Sequence, residues 1–313
     1  MIKKFFIILI FLAFPFGTHP EEKFFKWAYV VHYSNLNKTR LQNALNLYDK
    51  ICLTGWELSL NGLYTDKKAD LHLNSMTEMG LSQENFYPLI VFKNSSEGKK
   101  ILSNKKNIIK AAKTISDFAT RNSFKNIHLD FEYIPPGYSN GLADLLKEIK
   151  SINKNIKISL AIFPQIDFPS HLAGFHNPEI IAQYTDEIVL MCYDYKKDSK
   201  TPVPVTDILW AEKNIVHILK FFKPEQVYLG VPAYGLTWAG SGNPHPVAAA
   251  NIINMTSTGK SVRDVSGCIR IDYVKNGINY IAYVSDKETI KMLEEIAHKY
   301  RLKGTALWRY GFL

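Results

Sequence analysis

Cysteine is scarce in this chain: three residues among 313, Cys52, Cys192 and Cys268. An odd number cannot all pair, and Cys52 and Cys192 sit inside apolar runs, where a thiol serves as a small hydrophobe. The spacing does not decide whether any two of them form a disulfide. No CxxC or HExxH pattern occurs, so neither a redox dithiol nor a dedicated metal site is expected, and no cofactor is called for. Long apolar runs are also missing. Past the N-terminal segment nothing approaches the run of about 18 apolar residues that a bilayer span needs, which excludes stable membrane insertion by a helix there. Nucleic-acid binding has no support despite a formal net charge of +9, because no stripe interleaves basic with aromatic residues. Lysines fall in small clusters such as Lys99, Lys100, Lys105 and Lys106, the pattern of a solvated face, with attraction to an anionic wall polymer a secondary reading. No low-complexity linker is present, so one large domain acting as a monomer is expected.

What the chain does have begins with Lys3 and Lys4 ahead of an apolar run from Phe5 to Phe14, then Pro15 and Gly17. This reads as a secretory signal peptide over residues 1–20, without the cysteine of a lipoprotein, and predicts export to the periplasm, cell wall or medium. From residue 21 to 313, short apolar runs alternate with amphipathic segments. Strands are expected at Trp27 to His32, Lys50 to Leu53, Tyr87 to Phe92, Asn126 to Phe131, Ile156 to Ile162, Glu187 to Tyr193, Gln226 to Val231 and Gly304 to Trp308. Helices are expected near Thr39 to Leu47, Leu71 to Met79, Lys105 to Arg121, Asn140 to Ile152, Pro178 to Tyr184, Asp207 to Phe222 and Lys287 to Arg301. Near-continuous hydrophobic strands separated by helices predict an α/β fold, a (β/α)8 TIM barrel, with its last outer helix missing. Ala239 to Asp286 breaks the rhythm and reads as a small α+β insertion between strand seven and helix seven, beside the barrel mouth.

Ile127 to Tyr133, IHLDFEY, carries the most chemical information. Side chains alternate along a strand, so His128, Asp130 and Glu132 share one face while Ile127, Leu129 and Phe131 share the greasy one. Burying carboxylates costs several kcal/mol unless they are bonded, so acids on a core strand point to a site. Barrel chemistry gathers at the carboxyl ends of strands. There the expected neighbours are Tyr133, Tyr193, Asp194, Trp308, and, where strand seven runs on, Tyr234 and Trp238. Carboxylates among aromatic rings suit a sugar: rings cover its apolar faces, and a shielded carboxylic acid keeps a raised pKa fit to protonate a glycosidic oxygen. His128 is assigned a supporting role.

With these residues in view, the chain resembles glycoside hydrolase family 18, the chitinase-like family, over most of its length. The DxxDxDxE signature falls on Lys125 to Glu132, where Asp130 and Glu132 match while Lys125 and His128 depart from it. Further matches are MCYD at Met191 to Asp194, GVPAYGLTW at Gly230 to Trp238 and ALWRYG at Ala306 to Gly311. LDFEYIPP and the small insertion look most like the spore-germination and cortex-lytic N-acetylglucosaminidase branch. The resemblance implies substrate-assisted, retaining hydrolysis of an N-acetylglucosamine polymer, peptidoglycan before chitin, without metal. It implies Glu132 as general acid/base, Asp130 on the acetamido N–H, Tyr193 on the acetamido oxygen, Asp194 lining the sugar subsite and Trp308 beneath it. The alternative is a carbohydrate-binding protein on the same barrel, catalytically weakened by the changes at Lys125 and His128.

Overall fold

The computed structural model describes residues 23–196, 199–240 and 242–313. The expected signal peptide, residues 1–20, lies outside the described residues. In chain order the strands are β1 (Phe25–Val30), β2 (Lys50–Ser59), β3 (Gly62–Thr65), β4 (Phe86–Phe92), β5 (Asn126–Leu129), β6 (Lys157–Ile162), β7 (Glu187–Leu190), β8 (Val227–Pro232), β9 (Tyr234–Ala239), β10 (His245–Ala248), β11 (Gly259–Arg263), β12 (Ile269–Lys275), β13 (Ile278–Val284) and β14 (Gly304–Trp308). The helices are α1 (Lys38–Leu47), α2 (Lys67–Glu78), α3 (Ser95–Leu102), α4 (Lys105–Arg121), α5 (Ser139–Ile152), α6 (Ser170–Ala173), α7 (Pro178–Ile181), α8 (Ile208–Ile218), α9 (Ile252–Thr256) and α10 (Lys287–Lys299).

Strand β1 pairs in parallel with β2 on one side and β14 on the other, which closes the ring β1, β2, β4, β5, β6, β7, β8, β14. This is the expected (β/α)8 barrel. β3 folds back antiparallel on the long carboxyl end of β2. Each barrel strand presents alternate residues to two apolar layers. Ile127, Leu129 and Phe131 face the helices, where Phe131 stacks on Phe92 with centroids 3.8 Å apart. Trp27, Tyr29, Tyr87, Val189 and Tyr228 fill the lumen. The outer helices carry apolar stripes at helical spacing; α4 buries Ile108, Ala111, Ala112, Ile115, Phe118 and Ala119, and starts at Asn104, whose side chain accepts from the amides of Lys106 and Asn107. No helix follows β14 among the described residues, and none of their helices is long and apolar enough to cross a membrane.

The second sheet runs β10-β9-β13-β12-β11, antiparallel throughout, and α9 packs on it. It begins at Tyr234, earlier than the Ala239 boundary expected from the sequence. After Pro232 the chain turns through Ala233, whose amide donates to the Trp308 carbonyl at 2.7 Å, and leaves the barrel as β9. Tyr234 and Trp238 therefore belong to the small sheet and not to a barrel strand end.

Candidate active site

Strand β5 is short because its ladder ends at Leu129; the Asp130 amide still donates to the Ile90 carbonyl at 3.0 Å, so the chain holds to the barrel wall for one more residue. Beyond that an imidazole replaces the ladder. His176, fully buried, accepts the Phe163 amide at Nδ1 (3.2 Å), which leaves Nε2 to donate to the Phe131 carbonyl at 3.0 Å. The carbonyl it grips lies between Asp130 and Glu132. Burial pushes the His176 pKa down to about 4, so the neutral ring is the form that makes both bonds near neutral pH.

Asp130 is only partly exposed, yet its Oδ1 is buried with no hydrogen-bond partner among the described residues. Burial pushes its carboxyl up to about 6. Three phenols surround the two acids. Tyr29, reaching in from β1, is raised well above the ordinary tyrosine value by burial, and further by Tyr193, Cys52, Asp130 and Glu132. Tyr193 is raised likewise by burial and then by Asp130, Glu132 and Asp194. Tyr234 is raised by burial, by Asp194 and by Tyr193 and Glu132. All three hydroxyls are therefore protonated at any working pH and can act as hydrogen-bond donors. Asp130 and Glu132 lie just beyond β5 and Tyr193 just beyond β7, strands separated only by β6, and Trp308 packs against both Tyr29 and the cluster that holds Tyr193.

Trp308, at the end of β14, closes that neighbourhood with its ring 5.2 Å from Tyr29 and edge to face. Tyr193 and Tyr234 meet edge to face at 6.4 Å, and the Tyr234 hydroxyl donates to the Asp194 carboxylate. Glycine at 230 permits this: a Cβ there would come within 2.9 Å of both the Tyr193 ring and the Leu190 carbonyl. Tyr133 and Asp194 each follow a site residue and each adopt φ near +57°, a conformation uncommon outside glycine that turns the chain out of the barrel wall. Tyr133 is left half exposed beside Phe163.

One expectation is corrected. Trp238, expected to contact sugar, is 1% exposed; the alternation of β9 directs it, with Tyr234 and Leu236, into a core with Val205, Cys268 and Tyr283, and its indole N–H donates to the Ser199 carbonyl at 3.1 Å. His128 makes no bond to Asp130: Nε2 is joined to the Tyr29 hydroxyl and Nδ1 to the Ser159 hydroxyl, both at 2.9 Å. Burial pushes its pKa down to about 3, so it is neutral and bears on the acids only through Tyr29. Cys52, Cys192 and Cys268 are all buried, free thiols. No group of three or more metal-binding side chains occurs among the described residues. Tyr29 and His176 were not picked out from the sequence. An inward-facing tyrosine on the first strand was the available signal for Tyr29, whereas nothing local marks His176.

A closed barrel that gathers two acids, three phenols and an indole at the carboxyl end of its strands belongs to the (β/α)8 proteins with a chemical site at the mouth. Within that class the chain belongs to the glycosyl hydrolases family 18, whose description matches residues 27–312. Among curated proteins it is similar to the uncharacterized glycosylase YvbX of Bacillus subtilis, 21% identical over 68% of this chain and 64% of that protein. It is also similar to the cortical fragment-lytic enzyme of Bacillus anthracis, 20% identical over 74% and 58%. The chain thus spans less than two thirds of the length of either relative. Among solved structures, a chitinase from Chromobacterium violaceum superposes with a TM-score of 0.80 at 14% identity, covering 93% of this chain and 95% of that one. The Bacillus cereus spore cortex-lytic enzyme SleL gives 0.80 at 17%, over 94% and 72%.

Proposed function

We propose that this protein is an exported, retaining β-N-acetylglucosaminidase that cleaves a wall glycan by substrate-assisted catalysis. The carrying observation is the orphaned, buried Oδ1 of Asp130 beside Glu132 and Tyr193. A lone carboxylate acceptor in that position is costly unless something donates to it, and the N–H of a 2-acetamido group is such a donor. Asp130 then holds the acetamido group while its carbonyl attacks the anomeric carbon, and the Tyr193 hydroxyl donates to the acetamido oxygen. Glu132 protonates the departing glycosidic oxygen and afterwards deprotonates the attacking water. Asp194, held by Tyr234, lines the sugar subsite over Trp308, and Tyr133 borders it. Peptidoglycan is favoured over chitin because the curated relatives include enzymes named for lysis of cortical fragments.

Release of a fluorescent aglycone from N-acetyl-chitooligosaccharide glycosides, and of reducing ends from purified wall, tests the reading. Glu132→Gln is expected to lower kcat/KM at least about 1000-fold, a barrier change of about 4 kcal/mol. A wild-type protein no faster than Glu132→Gln on every substrate leaves only the carbohydrate-binding alternative that His128 and Lys125 raise.

A further inference from the structure

Arg309 directly follows Trp308, and its guanidinium bridges two loops at the barrel mouth. One of its Nη atoms donates to the Ser34 hydroxyl at 2.6 Å, and its Cζ lies 4.1 Å from the Phe312 ring centroid and 5.7 Å from that of Tyr33. The group is partly buried, and burial lowers its pKa. Yet none of the ion pairs among the described residues includes it, whereas Arg270, the other partly buried arginine, is locked bidentate on Asp272, and the more exposed Arg263 on Asp286. An arginine fork fixed by one hydroxyl and two rings, with donors left over and no acid in reach, is prepared for a carboxylate or phosphate supplied from outside. Tyr33 beside it is 63% exposed, and its ring offers a surface on which a pyranose can stack. We infer that Arg309 and Tyr33 form a subsite for a carboxylate-bearing sugar, in which Tyr33 supports the ring and Arg309 pairs with a carboxylate on its 3-O-lactyl arm. The inference rests on the wall-glycan reading and assigns the preference for peptidoglycan over chitin to one side chain.

Equilibrium binding separates this from catalysis. In a Glu132→Gln background, which prevents turnover, affinities are measured for an uncharged N-acetylglucosamine tetramer and for a tetramer of alternating N-acetylglucosamine and N-acetylmuramic acid. The preference for the second is expected to be about 10- to 100-fold, the range of charge-assisted pairing, and to vanish when its carboxylates are methyl-esterified. Arg309→Gln is expected to remove the preference, and Arg309→Lys to keep an intermediate one, at unchanged melting temperature. A preference seen with peptide-free glycan assigns the lactyl carboxylate itself; one seen only with peptide-bearing glycan assigns a stem-peptide carboxylate. Absence of any preference, or a preference that survives Arg309→Gln, overturns the inference while aglycone release still reports on the hydrolase reading.

Discussion

Asp130 is held in its uncomfortable state by its surroundings. Its Oδ1 is buried without a partner, and the inner-face residue two positions earlier, His128, is neutral and engaged by Tyr29 and Ser159, so it lends Asp130 no positive charge. The folded carboxyl, pushed up to about 6, binds its proton more tightly than an unfolded aspartate near 3.9. The sign follows: the residue destabilises the fold increasingly as pH rises from about 4 to about 6, and fully above that. Asp130→Asn is therefore expected to raise stability at pH 8 by about 1–2 kcal/mol, allowing for solvent screening of a partly exposed group, with the gain shrinking by pH 4. Activity should move oppositely, falling by about 100- to 1000-fold as a preorganised electrostatic contact is lost. Wild-type activity should itself decline as pH falls below about 6. Thermal melts and initial rates across pH 4–8 check both, and a destabilised Asp130→Asn at pH 8 would contradict the burial argument.

At the scale of elements, the site depends on how strands stop. β5 delivers Asp130 and Glu132 only because His176 takes over from the exhausted ladder by bonding the Phe131 carbonyl and the Phe163 amide. His176→Ala is expected to lower kcat about 10- to 100-fold with little change in KM, since small displacements of a catalytic group are enough for that. His176→Gln, which offers a carbonyl and an N–H, should recover part of the loss. Equal damage to kcat and KM, unrelieved by glutamine, would make the residue merely structural. This contact also marks the limit of what the sequence discloses. The barrel strands were legible because each is a buried apolar run between polar breaks, and Asp130, Glu132 and Tyr193 stood out as polar groups at their ends. β9 was hidden because Tyr234 continues the apolar run of β8 with only Ala233 between. α3 carries its apolar residues only in the last turn, β10 is four residues long and holds a proline, β11 is largely polar and exposed, and β3 is only four residues long. Tyr29, His176 and Arg309 owe their roles to partners 99, 45 and 275 residues away, distances that no local pattern encodes.

The whole barrel solves opposite electrostatic problems at its two ends. At the mouth one buried carboxylate oxygen is left without a hydrogen-bond partner; at the floor a buried lysine and a buried glutamate are paired. There Lys50, 4% exposed, donates to Tyr87 (2.8 Å) and to Glu187 (3.2 Å), and the Tyr87 hydroxyl donates to Glu187 at 2.8 Å. The rings of Tyr87 and Tyr228 each lie 4.9 Å from the ammonium, with Phe25 at 5.2 Å. Burial alone would raise Glu187, but Lys50, Lys157 and the Tyr87 hydroxyl outweigh it and hold the carboxyl below its usual range. Its contribution to stability is therefore present above the ordinary glutamate pKa of about 4.3 and is lost as pH falls through the lower folded value. Removing one partner of such a pair strands the other. Lys50→Met is expected to cost about 3–5 kcal/mol at pH 7, whereas Lys50→Met with Glu187→Leu should return to within about 1–2 kcal/mol of wild type. Urea unfolding at pH 7 and pH 4 distinguishes charge from packing. The single variant's deficit should narrow at pH 4, where Glu187, left with only the more exposed Lys157 as cation, takes up a proton, while the double variant's should not; equal deficits at both pH values would mean that the floor is held by its aromatic rings and not by the ion pair.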